Sequence, residues 1–351
     1  MTVLAKSATE MAESGFIPDP VIRFGIRRLV EQRRRKVTQS GNKAHPDLDA
    51  FIAMMNRSEI ALQTDAANEQ HYEVPPAFFA EVLGKHRKYS CCFWGDGAGS
   101  LEAAEQAALE ITCRRAGIED GMQVLDLGCG WGSLSLWIAQ HYPASRVTAV
   151  SNSHAQRQFI EAEAADRGLA NLNVITADMN YFRPAGQFDR IVSIEMFEHM
   201  RNYGALFDRI SRWLKGDGRF FMHIFCHRSA AYEFVDAGPG DWMSRHFFSG
   251  GIMPSQDLPM RFQQHLSLVN RWTWDGTEYR QTAEAWLDNM DARKQRIMPI
   301  LESVYGKENS NRWWMRWRMF FLAVSEMFGS HNGKEWLVGH YLFQPKHGVH
   351  S

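Results

Sequence analysis

Residues 124–132, Val-Leu-Asp-Leu-Gly-Cys-Gly-Trp-Gly, constrain this chain more than any other stretch. An apolar run carrying one acid leads into glycines at 128, 130 and 132, and a helix-forming segment starts at Leu134. The run predicts a buried strand over 123–127. The glycines predict a tight turn where backbone passes close to a ligand. Around this turn the apolar period alternates. Helices are expected at 101–116, 134–140 and 154–167, and strands at 146–150, 174–177 and 188–194. Strand alternating with helix at this spacing predicts a doubly wound, mainly parallel α/β sheet of Rossmann-like type.

The turn also narrows the ligand. A dinucleotide fingerprint would place glycine or alanine at 133, where the chain has Ser133, and no phosphate-binding lysine follows. The remaining ligand type for this shape is S-adenosylmethionine (SAM), with Asp126, two positions before the first glycine, holding the methionine end. Dinucleotide and SAM folds commonly end the second strand on a ribose-binding carboxylate. Here that strand ends Val150-Ser-Asn-Ser-His, so Asn152 and Gln156 are the polar groups placed to substitute. After the third strand, Asp178 is expected to accept from the adenine amino group while Met179 packs on the ring. The structural alternative for Asp178 is a turn cap.

With 351 residues, the chain is long enough for one large domain or two ordinary ones. We expect an N-terminal helical region closing over the cofactor (1–100), the SAM-binding core (101–227), a helical cap insertion (228–314) and a return to the sheet (315–351). Residues 17–40 read as a basic amphipathic helix, with Ile22, Ile26, Leu29 and Val30 on one face. Its other side carries Arg23, Arg27, Arg28, Arg33, Arg34, Arg35 and Lys36. Such a helix packs on the catalytic domain or, in the sharper reading, makes a peripheral membrane contact with anionic lipid. The apolar segments 320–327 and 336–343 are expected as a closing helix and strand.

Balanced charge, 39 basic against 40 acidic residues, gives no footprint for nucleic acid. Lys6 precedes no apolar run, Glu10 and Glu13 interrupt any leader, and Arg316, Arg318 and Glu326 break the most apolar later stretch. Five cysteines form no zinc-type pairing, so no metal is expected and a reducing, cytoplasmic setting is the default. More than half of the 12 Trp and 22 Phe fall after residue 220. They fill a core, and they also suit a pocket for a flat or cationic organic molecule.

Several further motifs resemble the cyclopropane-fatty-acid synthase superfamily. They are Tyr89-Ser-Cys-Cys-Phe-Trp, the glycine turn with Trp131, Ser151-Asn-Ser-His-Ala-Gln156 and Met196-Phe-Glu-His-Met200. Within that superfamily, His71-Tyr-Glu-Val-Pro75, Phe225-Cys-His227, 248–255, 298–303 and 328–336 are similar to the coclaurine N-methyltransferase group of alkaloid enzymes. The likeness implies a class I SAM-methyltransferase fold. It implies that Tyr89 and Ser90 close over the cofactor, and that Gly128, Gly130, Gly132, Ser151, Asn152 and Gln156 wrap it. Asp178 and Met179 would hold adenine, and Glu195, Glu198 and His199 would line the reaction site. The bicarbonate-binding set of cyclopropane synthases maps onto Cys91, Glu198, His223 and Tyr279, all present. The separating feature is Glu195, where those synthases have glycine. Cys91, His223, Phe225, His227 and Tyr279 are the expected substrate-pocket residues.

Methyl transfer to nitrogen is an in-line displacement that needs a free lone pair. An aliphatic amine of pKa near 9.5 is about 99% protonated at pH 7.5, and freeing it costs roughly 2.7 kcal/mol. His199 is the expected base, with Glu195 or Glu198 fixing its tautomer or drawing in the ammonium. The expected acceptor is a small cyclic or aromatic amine. The alternatives are methylation of an unsaturated phospholipid chain, with bicarbonate bound, and a non-catalytic SAM-binding protein. A homodimer fits any of these.

Overall fold

The computed structural model describes residues 2–39, 48–62, 75–236, 238 and 241–346. Most of the His71–Pro75 motif lies outside the described residues. The N-terminal region supplies helices α1 (Thr2–Glu13), α2 (Asp19–Gln39), α3 (Leu48–Arg57) and α4 (Pro76–Val82). The core runs α5 (Leu101–Ala116), β1 (Gln123–Leu127), α6 (Ser133–His141), β2 (Arg146–Ser151), α7 (His154–Asp166), β3 (Leu172–Thr176), β4 (Phe188–Ile194), α8 (Tyr203–Trp213) and β5 (Leu214–His227). Beyond it lie a short helix α9 (Trp242–His246), β6 (Leu266–Trp274), α10 (Gly276–Ala292), α11 (Lys294–Tyr305), α12 (Lys307–Phe328) and β7 (Trp336–Pro345).

The seven strands form one sheet in the order β3-β2-β1-β4-β5-β7-β6. The first five are parallel, and β7 and β6 add antiparallel at one edge. Local chemistry places the helix ends: Ser100 Oγ accepts from Ala103 N at the start of α5, and Gly117 closes it at φ 64°. Ser153 Oγ caps α7 in the same way, from Gln156 N. One apolar cluster packs α4, α10 and α12 together through Phe78, Phe79, Trp286, Trp317 and Phe321. Another fills the β4–β5–α8 side through Phe197, Tyr203, Phe207 and Phe220.

Two expectations change. The segment 228–314 is not wholly a cap, because β6 pairs with β7 in the main sheet. β6 is an edge strand whose middle, from Val269 to Arg271, is exposed, whereas the middle of β1 or β4 is buried. Residues 2–13, expected only as part of the N-terminal helical region and given no element of their own, form α1.

Three arginines of α2 pair with acids of the body, while Arg34 and Arg35 pair with Glu31 of α2 itself. Arg23 meets Glu284 and Glu326 at 2.6 and 3.0 Å, Arg27 meets Glu326 at 2.9 Å, and Arg33 meets Asp241 at 3.1 Å. Packing on the catalytic domain accounts for the charge of Arg23, Arg27 and Arg33. Among the described residues, no helix is long and apolar enough to cross a membrane.

Candidate active site

β1 delivers Asp126 and then the glycine turn. Gly128, Gly130 and Gly132 take φ of 76°, 52° and 78°, the left-handed region that L side chains avoid. A Cβ on Gly128 would stand 2.6 Å from the Met196 side chain, and one on Gly132 the same distance from Ile160. At Gly130 a Cβ would meet no protein atom within 4 Å. Gly130 instead borders a cavity of about 540 Å³ that runs from Asp126 to the aromatic side chains of the C-terminal half.

The cavity wall fits SAM. Asp126 is buried, its Oδ2 accepts from Ser135 Oγ at 2.6 Å, and burial pushes its pKa up to about 6. A carboxylate so placed is a seat for a cation such as the methionine ammonium. Ser151 Oγ donates to Gln156 Oε1 at 2.7 Å, which turns the other end of that amide loose. Gln156 Nε2 and Ser133 Oγ are buried and have no hydrogen-bond partner among the described residues. Both residues lie on the wall, as do Tyr89 and Ser90. The other expected contacts stand off it. Gly132 and Ser151 support the wall from behind, and Asn152 and Met179 are not part of it. Asp178 accepts from Asn180 N at 2.7 Å, the turn cap that was its alternative.

Glu195 follows β4 with φ 49°, so the position would suit glycine and a glutamate there is strained. The backbone is pinned because Glu195 N donates to the His223 carbonyl at 2.9 Å. Three elements then converge on the side chain. Oε1 accepts from Cys91 N at 2.9 Å and lies 3.2 Å from His223 Nε2, and Oε2 accepts from the Tyr279 hydroxyl at 2.7 Å. Three of the four residues mapped to bicarbonate binding thus hold a carboxylate of the chain itself. The fourth, Glu198, is buried on the Phe197–His199 turn, and its Oε1 accepts from Phe225 N at 2.6 Å.

Burial raises both carboxyl pKa values, Glu198 further because it also feels the charge of Glu195. Like charges this close separate their roles. Glu195 has three donors and the nearby Lys88 cation, whereas Glu198 Oε2 has no partner among the described residues. Glu198 therefore holds its proton more tightly, and Glu195 is the one of the pair that ionises first.

His199 stacks on Phe248 with ring centroids 5.1 Å apart. Burial pushes its pKa down to about 4, with Glu195 pulling the other way. Burial and the Lys88 and Arg115 charges hold His223 neutral, so its Nε2–H can donate to Glu195. Burial and the charge of Glu195 raise Tyr279, which stays a donor.

Of the expected pocket residues, Phe225 and Tyr279 line the cavity, and Cys91 and His223 stand behind Glu195. His227 does not belong to it. Its Nδ1 accepts from the backbone N–H groups of Ser229 and Ala230 at 3.2 and 3.1 Å, fixing the turn after β5. Sequence reasoning did not place Phe234, Trp242, Phe248, Phe320 and Phe328, which are part of the aromatic wall. The aromatic excess after residue 220 was their general signal, and Phe248 and Phe328 also open two of the motifs shared with the alkaloid enzymes.

A parallel sheet with this glycine turn and a carboxylate-lined cavity defines a class I SAM-dependent methyltransferase. Residues 61–332 match the family described as mycolic acid cyclopropane synthetase. The chain is 38% identical to (S)-coclaurine N-methyltransferase of Thalictrum flavum subsp. glaucum, over 95% of this chain and 94% of that one. It is 31% identical to cyclopropane-fatty-acyl-phospholipid synthase of Escherichia coli, over 63% of this chain and 55% of that one. The solved structure of coclaurine N-methyltransferase bound to N-methylheliamine and SAH superposes with a TM-score of 0.90, at 36% identity, covering 96% of this chain and 99% of that one. The chain belongs to the coclaurine N-methyltransferase group of the cyclopropane synthetase family, and it is a SAM-dependent methyltransferase.

Proposed function

We propose that the enzyme methylates the nitrogen of a small cyclic amine of the tetrahydroisoquinoline type. The observation that carries this reading is the Glu195 carboxylate seated among Cys91 N, His223 Nε2 and the Tyr279 hydroxyl. A fixed negative charge beside an aromatic cavity attracts a cationic amine. The Phe225 and Phe248 rings stabilise the same cation from its faces. Similarity over nearly the whole length to coclaurine N-methyltransferase supports the acceptor class.

SAM, when bound along Asp126, Gly128, Gly130 and Gln156, supplies an electrophilic methyl on a sulfonium. The chain's own residues prepare the acceptor. Glu195 draws in the ammonium and takes its proton before or at attack. It is the stronger base of the two candidates, because its pKa is raised above the usual carboxylate value while that of His199 is lowered to about 4. His199 stays neutral and orients the amine from the Phe248 side. Glu198, carrying its proton, keeps a second negative charge out of the site. Burial behind the aromatic wall keeps water from competing for the lone pair.

The test is mass spectrometry with isotopically labelled SAM, on a panel of tetrahydroisoquinolines, open-chain amines and vesicles of unsaturated phospholipid. Label should enter the cyclic amines. Vesicles that gain a methylene while the whole amine panel stays unlabelled would overturn the proposal.

A further inference from the structure

Lys88 lies on the segment between α4 and α5, one residue before the Tyr89–Trp94 motif, and is only 3% exposed. Its Nζ donates to Ser90 Oγ and to the Cys91 carbonyl, both at 2.6 Å. Its backbone N–H donates to the buried Glu105 at 3.2 Å, and His86 N donates to the same carboxylate at 2.8 Å. The turn is therefore pinned from both sides. A buried ammonium persists where its charge is compensated. The two acceptors on Nζ are neutral oxygens, so compensation comes from carboxylates. Lys88 borders the same cavity as Glu195.

We propose that Lys88 is a positioning residue that holds the Glu195 carboxylate in place and ionised for the incoming ammonium. The inference rests on the amine-methylating reading above. By gripping Ser90 and the Cys91 carbonyl, Lys88 fixes the segment whose Cys91 N–H donates to Glu195 Oε1. The groups facing Glu195 are Cys91 and Cys92 on that segment, Glu198 and His199 on the following turn, His223 on β5 and Tyr279 on α10. With Lys88 added, the set contains one lysine and no arginine. Burial raises the Glu195 carboxyl, and Lys88 is the largest influence pulling it back down. Glu105, which burial pushes to about 7, accepts from the backbone of the turn and also feels the Lys88 charge. Without Lys88 the carboxyl would take up its proton at a higher pH, because burial would then meet less opposition. The cyclic ammonium would then meet a neutral acid.

The experiment is the pH dependence of kcat/KM for the amine in wild type, K88M, K88R and E195Q. The acid limb reports groups of the free enzyme, and its absence in E195Q assigns it to Glu195. In K88M the limb should move up by about 1–2 pH units, the usual effect of one neighbouring charge. Below the limb this is a loss of about 10–100-fold that alkaline pH restores. K88R should keep the wild-type limb. A K88M rate lowered equally at every pH, or a K88R limb displaced as far as that of K88M, would show a packing role and overturn the proposal. If K88M does not fold, ¹³C-carboxyl NMR of the wild type decides, with Glu195 assigned through E195Q. A Glu195 carboxyl that is neutral at pH 7 overturns the proposal, and an ionised one supports it. An E195Q enzyme with full amine turnover would instead sink the reading beneath it, whereas an impaired E195Q beside an unshifted K88M would sink the Lys88 proposal alone.

Discussion

The Tyr279 hydroxyl donates to Glu195 Oε2 at 2.7 Å across 84 residues of chain, tying α10 to the end of β4. The bond fixes a carboxylate whose backbone is already strained at φ 49°. Strain concentrated on one side chain at the head of a cavity is what function asks for and stability opposes. Glu195→Gln should therefore lose about 10²–10⁴-fold in kcat/KM for the amine, the usual worth of a positioned base. Tyr279→Phe should lose about 10–100-fold, the worth of one hydrogen bond to a charged group. Steady-state kinetics checks both. SAM affinity by calorimetry should change little in either.

His199 should matter less than Glu195. With its pKa held at about 4, it is neutral throughout the working range and contributes orientation rather than proton affinity. His199→Ala is expected to cost about 10-fold, less than general-base loss. The kcat/KM profile of wild type should show no limb near the ordinary histidine value. A limb near pH 6.5 that disappears in His199→Ala would return the role of base to the imidazole.

The sequence reading found the parallel core because buried strands write continuous apolar runs. The expected ranges for α5, β1 and β4 coincide with the observed ones. The reading missed β6, whose exposed middle, from Val269 to Arg271, breaks the apolar pattern and hides its partnership with β7. It put Glu195, Glu198 and His199 together because they fall within five residues. The resemblance named Cys91, His223 and Tyr279 as one set, but not that they hold Glu195, which they reach from 104, 28 and 84 residues away. Nor could it tell that His227, two residues past Phe225 on the same strand, is spent on a turn. Such long-range convergence has no local signature.

Asp126 links cofactor binding to pH. Its folded pKa of about 6 stands above the ordinary 3.8, so between those values the folded protein holds a proton that the unfolded chain has lost. Stability of the SAM-free enzyme is then highest below the lower value. It declines as pH rises toward the upper one, by roughly 3 kcal/mol at most. Ionisation that costs stability favours the methionine ammonium, so SAM should bind more tightly as pH rises through about 6. Asp126→Asn should flatten both trends and weaken SAM about 10–100-fold. Thermal melts with and without SAM across the acid range measure this.

Gly130 and Gly132 should fail differently. At Gly130 a side chain meets no protein atom within 4 Å and projects where the cavity begins. Gly130→Val should leave a folded enzyme, less stable by about 1–2 kcal/mol for its left-handed backbone, with SAM binding abolished. Gly132→Ala drives a Cβ to 2.6 Å from Ile160, so it should lower the melting temperature more than its added methyl suggests. Circular dichroism and calorimetry separate the two. Normal SAM affinity in Gly130→Val would remove the turn from the binding site.

The last prediction concerns bicarbonate. Methylating an alkene leaves a carbocation that must lose a proton to an anion, whereas an amine gives up its proton at or before attack. In this chain Cys91, His223 and Tyr279 already hold the Glu195 carboxylate. A second anion about 4 Å away would cost about 4 kcal/mol at an effective dielectric of 20. Amine methylation should therefore run at the same rate in bicarbonate-free buffer. Glu195→Gly should empty the cradle and relieve the left-handed strain, since glycine takes φ 49° freely. That variant should fold at least as well as wild type, lose most amine turnover, and regain part of it when formate or bicarbonate is added. A wild-type rate that falls as bicarbonate is removed, or a Glu195→Gly enzyme that no small carboxylate rescues, would mean that the three donors serve some other occupant than a carboxylate.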